Sequence, residues 1–69
     1  MQDVERLVKM ANQIADNFGF HDDTVERTAD HLRRFWAPSM RDRLVAFEAA
    51  GGDGLSETAR AAVRRLPGS

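Results

Sequence analysis

The sequence has no cysteine, and that absence removes several function classes together. Without thiols there is no disulfide framework, no thiolate nucleophile, and no thiolate ligand for zinc or an iron–sulfur cluster. Long apolar runs are missing too. Acids and bases interrupt the first fifteen residues, so nothing there resembles a signal peptide. No stretch approaches the roughly 20 apolar residues that a membrane span needs. The expected compartment is the cytoplasm, with no membrane partner. A dominant charge is also lacking, since ten Lys and Arg stand against eleven Asp and Glu, net −1. A nucleic-acid binder usually shows a clear basic excess, and this chain as a whole does not. Strand-like alternation, internal repeats and low-complexity runs are absent. The 69 residues read as one domain, 1–69, which buries only about 60% of its unfolded surface.

What is present is helical periodicity. Val4, Leu7, Val8, Ala11, Ile14, Ala15 and Phe18 form a stripe that predicts a first helix over 3–18. Asp3 stands at its positive start, and Gly19 suits the left-handed residue that closes a helix. Asp23 and Glu26 then make a D-x-x-E, which predicts a capping box for a second helix over 24–36. That helix should bury Val25, Ala29, Leu32 and Phe35 or Trp36. Pro38 forbids its continuation and is at home in the first turn of a third helix, 38–50, with Met40, Leu44 and Phe47 inward. Gly51 and Gly52 end the third helix. Ser56 and Glu57 open a fourth, 57–66, which carries Ala59, Ala62, Val63 and Leu66 and is stopped by Pro67. The predicted fold is all-α, a small bundle of four short helices around Leu7, Ile14, Phe18, Leu32, Phe35, Leu44 and Phe47. The fourth helix, short and tethered through glycines, is expected to be the least secure and to open first.

Reactive chemistry is sparse. His21 and His31 lie ten residues apart, and neither has another His at i+3 or i+4, so they read as surface or capping residues rather than zinc ligands. His21 beside Asp22 and Asp23 is generic loop chemistry. Ser39 and Ser56 sit where Ser caps helices, with no His–Asp relay arranged near them. The glycines at 51, 52 and 54 are not followed by the GK[ST] of a phosphate loop. No catalytic, cofactor-binding or metal constellation emerges, and the chain by itself reads as a non-enzyme.

Charge is unevenly placed, however. Residues 1–30 carry seven acids against three bases, whereas residues 31–47 carry four bases against one acid. The four bases are Arg33, Arg34, Arg41 and Arg43, and they flank the only Trp and the only interior Pro. Asp30 can pair with Arg34 or Arg33 on its own helix, and Glu57 with Arg60. Arg41 and Arg43 have no acid three or four residues away. Trp36 is either core filler or, with Leu32 and Phe35 in the core, partly exposed at the elbow between the second and third helices, and Arg41 and Arg43 are either solvated surface or interface residues. Trp and Arg are enriched where proteins bind one another. The candidate partner-binding residues are therefore Trp36, Arg41, Arg43, Arg33 and Arg34.

Three blocks then point to a family. LVKMANQI (Leu7 to Ile14), ADHLRRFWAPSMR (Ala29 to Arg41) and GLSETARAAVRRL (Gly54 to Leu66) together resemble the delta subunit of NAD-dependent formate dehydrogenases, the soluble molybdenum or tungsten enzymes. The HLR-x-FW-x-P-x-M-R pattern is the specific part. The resemblance implies a non-catalytic small subunit, or an assembly or maturation factor, that acts by binding the enzyme complex and specifically its alpha subunit. It implies no cofactor in this chain. The molybdopterin, iron–sulfur clusters, FMN and NAD belong to the other subunits. The alternative is a small helix-turn-helix-like nucleic-acid-binding domain, with Arg41 and Arg43 on the second helix of the bend. Against it, Met40, Leu44 and Phe47 compete for the face that would read bases, and the acidic first helix opposes phosphate.

Overall fold

The chain folds as α1 Val4–Phe18, α2 Thr24–Phe35, α3 Pro38–Ala49 and α4 Glu57–Arg64. The computed structural model describes residues 3–19 and 21–66, and among these there is no strand. Pro67, expected to stop the last helix, lies outside the described residues. The four-helix all-α expectation holds, with each helix ending within two residues of its predicted boundary.

Local chemistry explains the helix ends, with one correction. Asp3 caps α1 by accepting from the Glu5 N–H at 3.1 Å, and Gly19 closes it at φ 79. The capping box expected at the start of α2 does not form. Asp23 stands at the cap without a side-chain bond to a backbone N–H of the first turn, because its carboxylate takes the Arg27 Nε–H at 2.7 Å instead. Glu26 is drawn away to Arg65, near the far end of the chain. Thr24 supplies the missing order. Its Oγ1 accepts from the His21 N–H at 2.8 Å and donates to the Gly19 carbonyl at 2.9 Å, which stitches the α1–α2 link.

The α2 core face is a row at spacings of four: Thr24, Thr28, Leu32 and Trp36, all buried. Thr28 is satisfied by donating to the Thr24 carbonyl at 2.8 Å, as a buried hydroxyl must be. This row corrects the expected core, because Phe35 is 72% exposed while Trp36 is only 7% exposed. Phe35 belongs to the adjacent row, Arg27, His31 and Phe35, which faces outward. Ile14 and Phe47 are half-buried and pack against the core from its edge. Phe18 is half-buried as well.

Pro38 begins α3 at its first turn. The third helix contributes one fully buried side chain, Leu44. At its end the Gly52 N–H bonds the Phe47 carbonyl and the Gly51 N–H bonds the Glu48 carbonyl, both at 3.0 Å, the paired closure that favours positive-φ glycine. A Cβ on Gly52, which sits at φ 62, would come within 3.4 Å of the Glu48 backbone.

Helices α1 and α4 share the centre of the fold: each packs against the other and against both α2 and α3, while α2 and α3 scarcely touch one another. Ala59, Ala62 and Val63 are almost completely buried, and Leu55 and Leu66 close the two ends. Small side chains allow this close approach. Asn12 on α1 holds the preceding loop with both ends of its amide, donating to the Gly54 carbonyl and accepting from the Ser56 N–H, each at 2.9 Å. Ser56 then caps α4 through the Ala59 N–H at 3.2 Å. Arg60 does not turn to Glu57 but donates to the Gly52 carbonyl at 3.0 Å.

Candidate docking surface

The corner between α2 and α3 is made by two extended residues. Trp36 and Ala37 have ψ values of 141 and 148, the geometry a following Pro favours. Trp36 continues the buried row of α2, and its N–H bonds the Leu32 carbonyl at 3.1 Å. Its ring therefore fastens the corner from inside. Of the two readings of Trp36 the structure takes the core one, and the exposed ring at the elbow is Phe35, the one large hydrophobic exposed among the described residues.

Phe35 is not an isolated side chain. The His31 ring lies 4.8 Å from it, tilted by 43°, and Phe18 from the last turn of α1 meets His31 edge-on at 6.2 Å. Such spacings lie in the range where ring pairs attract. Arg27, Asp30 and Arg34 line the same shallow groove as these three rings. Arg34 is pinned to Asp30 at 3.0 Å, which is the i, i+4 pairing the sequence suggests. Arg33 is exposed and makes no ion pair among the described residues.

The α3 arginines differ from each other. Arg41 is half-buried, and its Nε is enclosed with no hydrogen-bond partner. Arg43 is exposed and engaged in an interaction of its own. Arg33, Arg34 and Trp36 thus come from the end of α2, and Arg41 and Arg43 from the first half of α3, on either side of one corner. Sequence reasoning missed the ring contacts of Phe18, His31 and Phe35. The signal was there, since Arg27, His31 and Phe35 recur every four residues one position away from the buried row.

Electrostatics within the site are simple. The hydrogen bond from Arg27 holds the Asp23 carboxyl below its usual value, assisted by the positive charge of the same guanidinium. Among the described residues, no three His, Cys, Asp or Glu side chains converge on a point where a metal could sit. None of the helices is long and apolar enough to cross a membrane. A helix-turn-helix needs its two helices docked at a bend, whereas α2 and α3 scarcely meet.

Fold and surface together define a class: a small helical protein whose distinctive feature is an aromatic and cationic corner. The family model described as NADH-dependent formate dehydrogenase delta subunit FdsD matches residues 6–63. The chain belongs to that family, in line with the resemblance carried by the HLRRFWAPSMR block. No curated protein and no solved structure matches it.

Proposed function

We propose that this chain is a non-catalytic accessory subunit, or a maturation factor, of a cytoplasmic NAD-dependent molybdenum or tungsten formate dehydrogenase. It acts by binding the complex at the alpha subunit through the α2–α3 corner. The family match over residues 6–63 carries this reading. The molybdopterin, iron–sulfur clusters, FMN and NAD of the reaction are held by the other subunits, and a chain without cysteine has no thiolate with which to hold a cluster. Arg33, Arg34, Arg41 and Arg43 supply the positive rim of the docking surface, and Trp36 keeps the corner rigid beneath it.

The test is charge reversal of the two α2 arginines. Arg33→Glu with Arg34→Glu changes exposed side chains but replaces the Arg34–Asp30 pair by a like-charge pair, so stability should fall by about 1 kcal/mol. Co-expressed with the dehydrogenase subunits, the wild-type chain should co-purify and the double variant should be lost as salt is raised. A folded double variant retained like wild type at every salt concentration places the docking surface elsewhere.

A further inference from the structure

We infer that the outward face of α2 is a self-association surface, on which a second copy of this chain packs antiparallel about a twofold axis. Phe35 of each copy meets His31 of the other, and Asp30 of each meets Arg34 of the other. The inference goes beyond the docking reading and does not rest on it, because it concerns the free chain.

A single exposed hydrophobic is ordinary on a protein surface, so the exposure of Phe35 alone carries nothing. The order of charge beside it carries more. Away from the buried row of Thr24, Thr28 and Leu32, α2 shows Asp23, Arg27, Asp30 and Arg34. Spacings of four, three and four put these on one stripe. Their signs alternate, and each arginine already holds an acid of its own helix, at 2.7 and 3.0 Å. The stripe is therefore neutral in sum and has no net charge with which to draw an acidic or a basic partner.

It is, however, complementary to its own reverse. Asp30 and Arg34 lie two residues either side of Leu32. A second α2, turned end for end about an axis level with Leu32, sets its Arg34 opposite Asp30 and its Asp30 opposite Arg34. Each carboxylate then lies between its own arginine and that of the copy. The two helix macrodipoles also oppose one another in this arrangement.

The rings obey the same symmetry. His31 and Phe35 run along one edge of the stripe, where Phe18 of α1 meets His31 edge-on. A twofold interface puts the same patch on both sides, and this axis carries that edge onto the same edge of the copy. His31 stands one residue before the axis and Phe35 three after it. The four rings therefore interleave: Phe35 of the copy, His31, His31 of the copy, Phe35. Phe35 has His31 at 4.8 Å on one side and gains a second ring on its open side. Arg33 and Glu26 lie along the opposite edge, with Glu26 bonded to Arg65, so no unpaired charge enters the contact. Association of this kind also adds buried area to a domain whose own core is small.

Sedimentation of the purified free chain from about 1 µM to about 1 mM decides the matter, a span that brackets the affinity of a contact made by one helix per copy. The wild type should pass from monomer to dimer within it. Phe35→Ala should weaken self-association at least about tenfold, the scale of a truncated interface anchor, with an unchanged circular dichroism spectrum. Asp30→Arg sets arginine against arginine across the axis, and Arg34→Asp sets acid against acid. Each of these variants alone should stay monomeric, and their equimolar mixture should restore a dimer. The same charge changes on the opposite edge, Glu26→Arg and Arg33→Asp, should leave self-association as in wild type. A wild type that is monomeric across the whole span overturns the inference. A dimer indifferent to Phe35→Ala overturns it too, as does a mixture of Asp30→Arg and Arg34→Asp that associates no better than either alone. None of these outcomes bears on docking to the dehydrogenase, which co-purification tests separately.

Discussion

At the scale of single residues, the side chains that matter most are polar ones that serve the backbone. Asn12 ties α1 to the loop before α4 by two hydrogen bonds, one to the exposed Gly54 carbonyl and one from the part-buried Ser56 N–H. Asn12→Ala should cost about 1–2 kcal/mol in denaturant unfolding, the scale of two lost hydrogen bonds that water partly replaces. Gln13→Ala, one position away and exposed, should cost nearly nothing, and equal losses would show that the clamp is not formed in solution. Asp23 gives a pH-dependent counterpart. Its carboxyl is depressed chiefly by the hydrogen bond from Arg27. A depressed folded value means the pair favours the native state above the unfolded carboxyl range, and that this contribution is lost as pH falls through the folded value. The pair is exposed, so the effect on stability is small, but the titration itself is measurable. In Arg27→Ala the Asp23 carboxyl, followed by NMR, should titrate at higher pH than in wild type.

At the scale of elements, length and packing point in opposite directions. Helix α4 has eight residues, too few to persist alone in water. Yet it touches all three other helices, as the much longer α1 does, and its alanines and Val63 are buried. Helical stability in a folded domain comes mainly from packing of this kind. The expectation that α4 opens first rested on length and glycine tethers. The packing argues for the reverse order. Native-state amide exchange should protect Ala62 and Val63 at least as well as the middle of α1, and fast exchange throughout α4 would restore the length argument. Two ion pairs support the same placement, Arg64 with Glu48 on α3 at 3.0 Å and Arg65 with Glu26 on α2. Exposed pairs of this sort add little energy each, but they fix the sense in which α4 lies across its neighbours.

At the scale of the whole molecule, a 69-residue chain has little stability to spare, so the ranking of core positions has visible consequences. Leu44 is fully buried and is the sole side chain that α3 places wholly inside. Leu44→Ala should cost about 2–5 kcal/mol and leave the isolated domain largely unfolded. Ile14 is only half-buried at the edge of the core. Ile14→Ala should therefore cost clearly less and give a cooperative melt at lower temperature. Equal melting losses would mean that the core extends further along α1 than its burial indicates.

The sequence by itself determined the number and order of the helices, their boundaries to within two residues, and the family. These are local properties. Apolar spacing, the Pro38 break, the Ser56 cap and the glycine stop at 51 and 52 act over a few residues, and the HLRRFWAPSMR block is a linear pattern. Tertiary structure decided what is inside. The spacing of Leu32, Phe35 and Trp36 fits a helix face either way. Only the line of Thr24 and Thr28 beneath Leu32, packed on α1 and α4, selects Trp36 for the core and turns Phe35 outward. The same holds for the Asp23–Glu26 capping box, lost because Arg27 and the distant Arg65 compete for those carboxylates. A short helix of alanines carries almost no signal of its own. It came to share the centre of the fold with α1 because small side chains let three neighbours close around it, a property of the neighbours as much as of the helix.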